Sequence, residues 1–367
     1  MTNLSKRLIY NSSKATPLLP HKHRFADTTC EEAYQKCVEY EHNISSGEET
    51  SKSLIRMLGY LISEAIHEGA QTYIAKQVIK YSTVNDGLLK LAHIYAEHVV
   101  GRFICKEDIL SLPTYSEAAR NEDPDYATLM ILERLDSQDF QCPLTNATDA
   151  HHILSKREET RKRREEINWK DEGPVGHLRC VHILPRFEPS DLDLIVDQNP
   201  PNGPPLFLKD IWDNYFYMDL KRLVYSERTL LYHSTANTIA LESDTAALFN
   251  IMDLWLDRTT NPETYQTDFA FDVALDVARL TQREQNRYNA QVVFKTMIIP
   301  HGAFLKIHAC MARICAWSGV KRYLEHKKAE AEDELWDKEA EEEMAERNAK
   351  AGGRLGHKSE SNVLEQD

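Results

Sequence analysis

Val181-His182-Ile183-Leu184-Pro185, Asn237-Thr238-Ile239-Ala240-Leu241 and the run after it, Glu242-Ser243-Asp244-Thr245-Ala246-Ala247, decide how this chain reads. The first two pieces are aliphatic and β-branched and read as strands. Pro185 closes the first, since proline gives a continuing ladder no donor. Ala247, Leu248, Ile251, Met252 and Trp255 then recur at helical spacing, so a helix is expected after the second strand. Upstream, Phe140-Gln141-Cys142-Pro143-Leu144-Thr145-Asn146 reads as a cysteine-bearing turn.

Working outward, helical periodicity dominates the rest. Leu54, Met57, Leu58, Leu61 and Ile62 mark one helix, and Leu88, Leu91, Ala92, Tyr95 and Val99 another. Leu208 to Leu220 and a long segment from Ala303 onward have the same period. Phe269 to Val273 and Gln291 to Ile299 alternate like strands. The fold class is therefore α+β and mainly helical. The expected division is a disordered N-terminus over 1–27, a helical region over 28–138 and a central unit over 139–260. That unit carries a charged insertion near 155–175. Strands and a C-terminal helix follow over 261–325, then an acidic helical extension and tail over 326–367.

The chain has 367 residues and a formal net charge of −14. That balance argues against a general nucleic-acid coat, though not against a local basic groove. The cysteines are odd in number and contain no CxxC pair, which disfavours a disulfide framework and a four-cysteine zinc site. The first twenty residues hold no continuous apolar segment, and no run reaches membrane-spanning length. An intracellular protein, cytoplasmic or nuclear and without membrane association, is expected.

Four motifs in order carry a resemblance: Asp139-Phe140-Gln141-Cys142-Pro143-Leu144-Thr145, Val181-His182-Ile183-Leu184-Pro185, Asn237-Thr238-Ile239-Ala240-Leu241, and Pro300-His301-Gly302-Ala303-Phe304-Leu305-Lys306-Ile307-His308 with Ser318-Gly319 beyond. Together they resemble a group of fungal proteins built around an HNH nuclease module, over roughly residues 50 to 325. The resemblance implies a central ββα-metal unit. In it His182 would be the general base on water and Asn237 the residue that braces the hairpin. One divalent cation, Mg or Mn, would neutralise charge on the scissile phosphate.

The chain departs from the family at the metal. Where the pattern places a ligating histidine stands Ala246, which has no donor atom. Asp244, Asn250 or Asp253 are the replacement ligands to consider, since a hard cation takes oxygen. A second candidate base is His152, because Ala150-His151-His152-Ile153 also reads as a strand of the family's form. A metal gathered by Asp149, His151 and His182 is a further arrangement. Cys142 reads as a small buried hydrophobe, with Cys180 its nearest companion as a zinc ligand. His308 reads as a hydrogen-bonded core histidine.

Arg161, Lys162, Arg163 and Arg164 form the strongest basic patch and are the candidate phosphate contacts, although interleaved glutamates suit a solvated helix equally well. The dense carboxylate run from Glu330 to Glu346 would repel DNA and suits solubility or a basic protein partner. Three functions follow. The first is a divergent HNH nuclease-like protein with weak or lost hydrolysis. The second is an active Mg- or Mn-dependent endonuclease with a substituted ligand. The third is a non-catalytic interaction protein.

Overall fold

The computed structural model describes residues 15–19, 25–104, 126–163, 174–225, 234–261, 263–270, 291–294, 300–330, and residues 336, 338 and 344. The chain divides into two compact units, 1–321 and 322–367.

In chain order the first unit begins with α1 (Thr28–Asn43), α2 (Glu49–Ser63), α3 (Glu68–Tyr81), α4 (Gly87–Tyr95) and α5 (Gly101–Ile104), with a π-helical turn at Ala96–Val100. The middle comprises α6 (Tyr126–Ser137), β1 (Thr148–Asp149), α7 (Ala150–Arg163), β2 (Val175–Gly176), β3 (Leu178–His182), β4 (Ile195–Asp197), β5 (Leu206–Phe207), α8 (Leu208–Ile211) and α9 (Leu220–Tyr225). The last stretch holds β6 (Thr238–Glu242), α10 (Ser243–Asn250), β7 (Leu254–Arg258), β8 (Thr264–Phe269), β9 (Gln291–Val293) and α11 (Gly302–Ser318). The architecture is α+β, with many helices around small sheets.

The core lies where α2 and α11 cross. Leu54 to Ile62 form a nearly continuous buried run, as do Phe304 to Ala312 with Lys306 turned out. Both helices are apolar well beyond one stripe, which is how a helix covered on several sides reads. Polar ties then fix the orientation of these packed elements. Arg313 on α11 reaches Glu64 at 2.8 Å and also pairs with Asp257 on β7. Tyr215 donates to the Leu61 carbonyl at 2.9 Å, and Tyr81 to Asp197 at 2.6 Å. His308 is fully buried, stacks on Phe249 with centroids 3.7 Å apart and holds its carbonyl at 3.1 Å, the core role expected of it.

β3 and β6 pair antiparallel, with Leu178 opposite Glu242 and His182 opposite Thr238. The outer edge of β6 is met by a side chain. Gln138 donates Nε2 to the Ala240 carbonyl and accepts the Ala240 N–H at Oε1, both at 3.0 Å. One carboxamide thus stands in for a neighbouring strand residue, since buried backbone groups demand partners. β7, β8 and β9 form a separate antiparallel sheet in that order.

Several expected elements come out differently. Ala150 to Ile153 begin a helix, not a strand, because Asp149 accepts the His151 and His152 N–H groups at 2.9 and 3.0 Å and caps α7. The helix after β6 ends at Asn250, before Met252 at φ 62°, and Trp255 lies on β7 instead. The helix expected through Leu220 turns π-helical at Trp212–Phe216 and stops at Tyr217, φ 53°. The long C-terminal helix is interrupted at Gly319, φ 76°, a left-handed position that glycine fills without strain. Residues 15–19, expected to be mobile, are pinned to α1, α2 and α11. The strand residues 271–273 and 295–299, and residues 164–173 of the charged insertion, lie outside the described residues.

Candidate functional site

β3 runs from buried Leu178 to His182, which is 9 % exposed at the strand's end. The chain then turns through Ile183, Leu184 and Pro185, all buried. Asn237 sits beside this turn, at the end of a short 3-10 turn that leads directly into β6. Its carbonyl accepts the Ile183 N–H at 2.8 Å, and its side-chain Oδ1 accepts the Leu184 N–H at 2.9 Å. One asparagine therefore clamps two successive amides just beyond His182. At 2 % exposure, these bonds are made away from water, where a missing partner costs most.

Neighbouring elements hold the asparagine in turn. The Asn237 N–H donates to the Ser234 carbonyl at 2.9 Å, and the His301 N–H, just before α11, donates to the Ala236 carbonyl at 2.8 Å. The Pro300-His301 motif thus meets the Asn237 motif in space. Neither the periodicity nor the spacing of those residues gave a sign of it, since sixty-odd positions of sequence intervene.

α10 follows β6 without a loop, and Ser243 donates both N–H and Oγ to the His177 carbonyl, at 2.9 and 3.0 Å. On α10, Ala246 is fully buried. Asp244 is exposed and lies two residues earlier, about 200° around the helix. Asn250 lies one turn beyond Ala246, about 6 Å along the same face. Its Oδ1 is shielded from solvent and has no hydrogen-bond partner among the described residues. Among those residues no three His, Cys, Asp or Glu side chains gather as a metal would require. Among the described residues, Asp244 and Asn250 alone bring too few oxygens together for a hard divalent cation, which needs several at once.

The other candidates lie elsewhere. His152 sits in the first turn of α7 with its ring stacked on Phe140, centroids 3.8 Å apart. Burial, then Lys156, holds its imidazole below the usual range. Asp149 is 1 % exposed; beyond capping α7 it accepts the Leu178 N–H at 3.0 Å through Oδ2. Those bonds place it at the Leu178 end of β3, about 13 Å of strand from His182. A metal shared by Asp149, His151 and His182 does not form. Asp149 is a structural tie, and the N-cap rule applied to Thr148-Asp149-Ala150 would have found it.

Cys142 is buried at the base of a tight turn, its N–H donating to the Ala147 carbonyl at 2.9 Å and its carbonyl accepting from Asn146 at 2.8 Å. Burial pushes the Cys180 thiol up to about 12. Arg161, Lys162 and Arg163 lie on the backbone of α7, and Arg164 lies outside the described residues. In the second unit, residues 322–330 are helical, and Trp336 and Met344 are exposed. Among the described residues no helix is long and apolar enough to cross a membrane.

Comparisons with protein-family models, with curated proteins and with solved structures give no match to this chain.

Proposed function

We propose that this chain is a divergent HNH nuclease-like protein whose phosphodiester hydrolysis is weak or lost and whose remaining role is binding. One observation carries the reading: Asn237 grips the turn that follows His182 through its carbonyl and its side chain at once. A bracing amide beside the base, on paired strands that lead straight into a helix, is the arrangement that hydrolytic unit requires. The same helix supports loss of activity, because Ala246 offers no donor at the ligand position. An imidazole can still take a proton from water, but without a cation the charge growing on the phosphate has nothing to offset it.

One observation favours the second reading, an active Mg- or Mn-dependent endonuclease. Asn250 Oδ1, shielded and without a hydrogen-bond partner among the described residues, lies on the Ala246 face of α10 and is an oxygen donor that a cation could recruit.

Supercoiled plasmid with and without Mg²⁺ or Mn²⁺ separates the two. Nicking by the purified protein is expected to equal that of His182→Ala under both conditions. Metal-dependent nicking that disappears in both His182→Ala and Asn250→Ala would establish the active enzyme instead. Binding is read from DNA affinity across a salt series; absence of any salt-sensitive affinity would leave only an interaction protein.

A further inference from the structure

Residues 15–19 are an extended segment seated on the helical core, with alternating exposure. Ala15, Pro17 and Leu19 face outward, Thr16 is half-buried and Leu18 is 5 % exposed. Hydrogen bonds made by Thr16 and Leu18, the inward pair, seat the segment on the helices. The Thr16 N–H donates to the Trp317 carbonyl at 2.9 Å. The Tyr60 hydroxyl donates to the Thr16 carbonyl at 3.1 Å and lies 2.7 Å from Thr16 Oγ1. The Leu18 N–H donates to Glu41 Oε2 at 2.9 Å, while Glu41 Oε1 is held by Arg56 at 2.6 Å.

The Leu18 side chain fills a notch that exists only because residue 59 is glycine. A Cβ there would lie 2.4 Å from Leu18 Cδ1. A glycine inside a well-formed helix is otherwise a liability, so the notch gives this one a reason. Pro17 between the two anchors has no N–H to lose and borders a cleft of about 540 Å³ shared with Val38, His42, Lys52 and Arg56. The surface thus combines an aliphatic notch, a fixed carboxylate for one backbone N–H and a carbonyl for another. Those are the parts of a site that reads an extended Thr-x-Leu peptide.

We propose that the groove formed by Glu41, Gly59, Tyr60 and Trp317 is a peptide-recognition site whose resident ligand is the chain's own Thr16-Pro17-Leu18. The groove recognises that segment non-covalently, by its sequence, and takes it up when it is presented in trans. Notch and clamp are built on α1, α2 and α11, so the site persists when the segment is cut away.

The test uses the full chain with a specific protease site written into residues 20–24. After cleavage, gel filtration shows whether the N-terminal fragment stays with the body, and anisotropy follows uptake of a fluorescent peptide spanning residues 12–20. The fragment is expected to be retained, and the peptide to bind saturably and compete with it. Leu18→Ala in fragment and peptide is expected to weaken both by about tenfold or more, the effect of deleting a buried leucine side chain. Gly59→Ala in the body is expected to do the same from the other side, by expelling Leu18 and not by unfolding α2. Wild-type and Leu18→Ala fragments that elute alike, both retained or both lost, overturn the proposal. So does a peptide that binds the Gly59→Ala body as well as it binds the parent.

Discussion

At the scale of single residues, His67 shows how far a titratable group can be committed by its neighbours. Its Nδ1 accepts the Ala70 N–H at 2.9 Å and so caps α3. Only the neutral ring can do this with a bare Nδ1. Burial, then the Lys306 ammonium, lowers its pKa. The sign follows directly: a depressed folded pKa means the unfolded chain binds the proton more readily. The cap's contribution is therefore complete above the unfolded value of about 6.5 and is lost as pH falls through the folded pKa. Amide exchange in the first turn of α3 should accelerate over that window, and His67→Asn, which keeps a capping oxygen, should abolish the pH dependence.

Asn237 belongs to the same scale. Removing its Oδ1 in Asn237→Ala strands the buried Leu184 N–H, which should cost about 1–3 kcal/mol in urea unfolding. Asn237→Asp keeps the acceptor and should recover part of that loss. The resemblance in sequence marks Asn237 as a brace; the structure shows it accepting the Ile183 and Leu184 N–H groups. What it braces was not legible, because Leu184 is 53 positions away.

At the scale of elements, two side chains do work usually done by backbone. Asp149 joins the start of α7 to the start of β3 through three N–H groups. Asp149→Ala should cost about 1–2 kcal/mol from the cap alone, and more from the stranded Leu178 N–H. Gln138 closes the open edge of β6, so Gln138→Ala should speed amide exchange at Ala240 and cost about 1–2 kcal/mol for its two lost bonds. Unchanged exchange at Ala240 would mean that the edge is covered by something else. The strands Leu178–His182 and Thr238–Glu242 were legible from their composition. The helical fate of Ala150–Ile153 is masked in the sequence by two histidines and an isoleucine that resemble a strand motif, although the capping aspartate stands just before them. The end of α10 was missed for another reason. Ile251, Met252 and Trp255 fit helical spacing, and only the pairing of Leu254–Arg258 with Thr264–Phe269 overrides it.

At the scale of the whole molecule, Arg313 ties α11 to Glu64 at the end of α2 and to Asp257 on β7. Its removal leaves two carboxylates without their cation. Because both retain some solvent exposure, Arg313→Met should cost about 2 kcal/mol, less than a fully buried pair would. Global unfolding by urea is the measurement; a change confined to the local amides of β7 would show that the tie does not hold the core together.

By itself the sequence determined the class of fold, the run of helices and the two strands that carry His182 and Asn237, because those depend on local periodicity and residue shape. It also carried the lack of a donor atom at Ala246, which is a property of alanine wherever it lies. Only the tertiary structure decided that Asn237 clamps the turn after His182 and that Asp149 ties the start of α7 to β3. It alone shows that residues 15–19 fill a notch over Gly59. Each of these joins groups far apart in the chain, and a hydrogen bond between distant residues leaves no mark on the periodicity of either one.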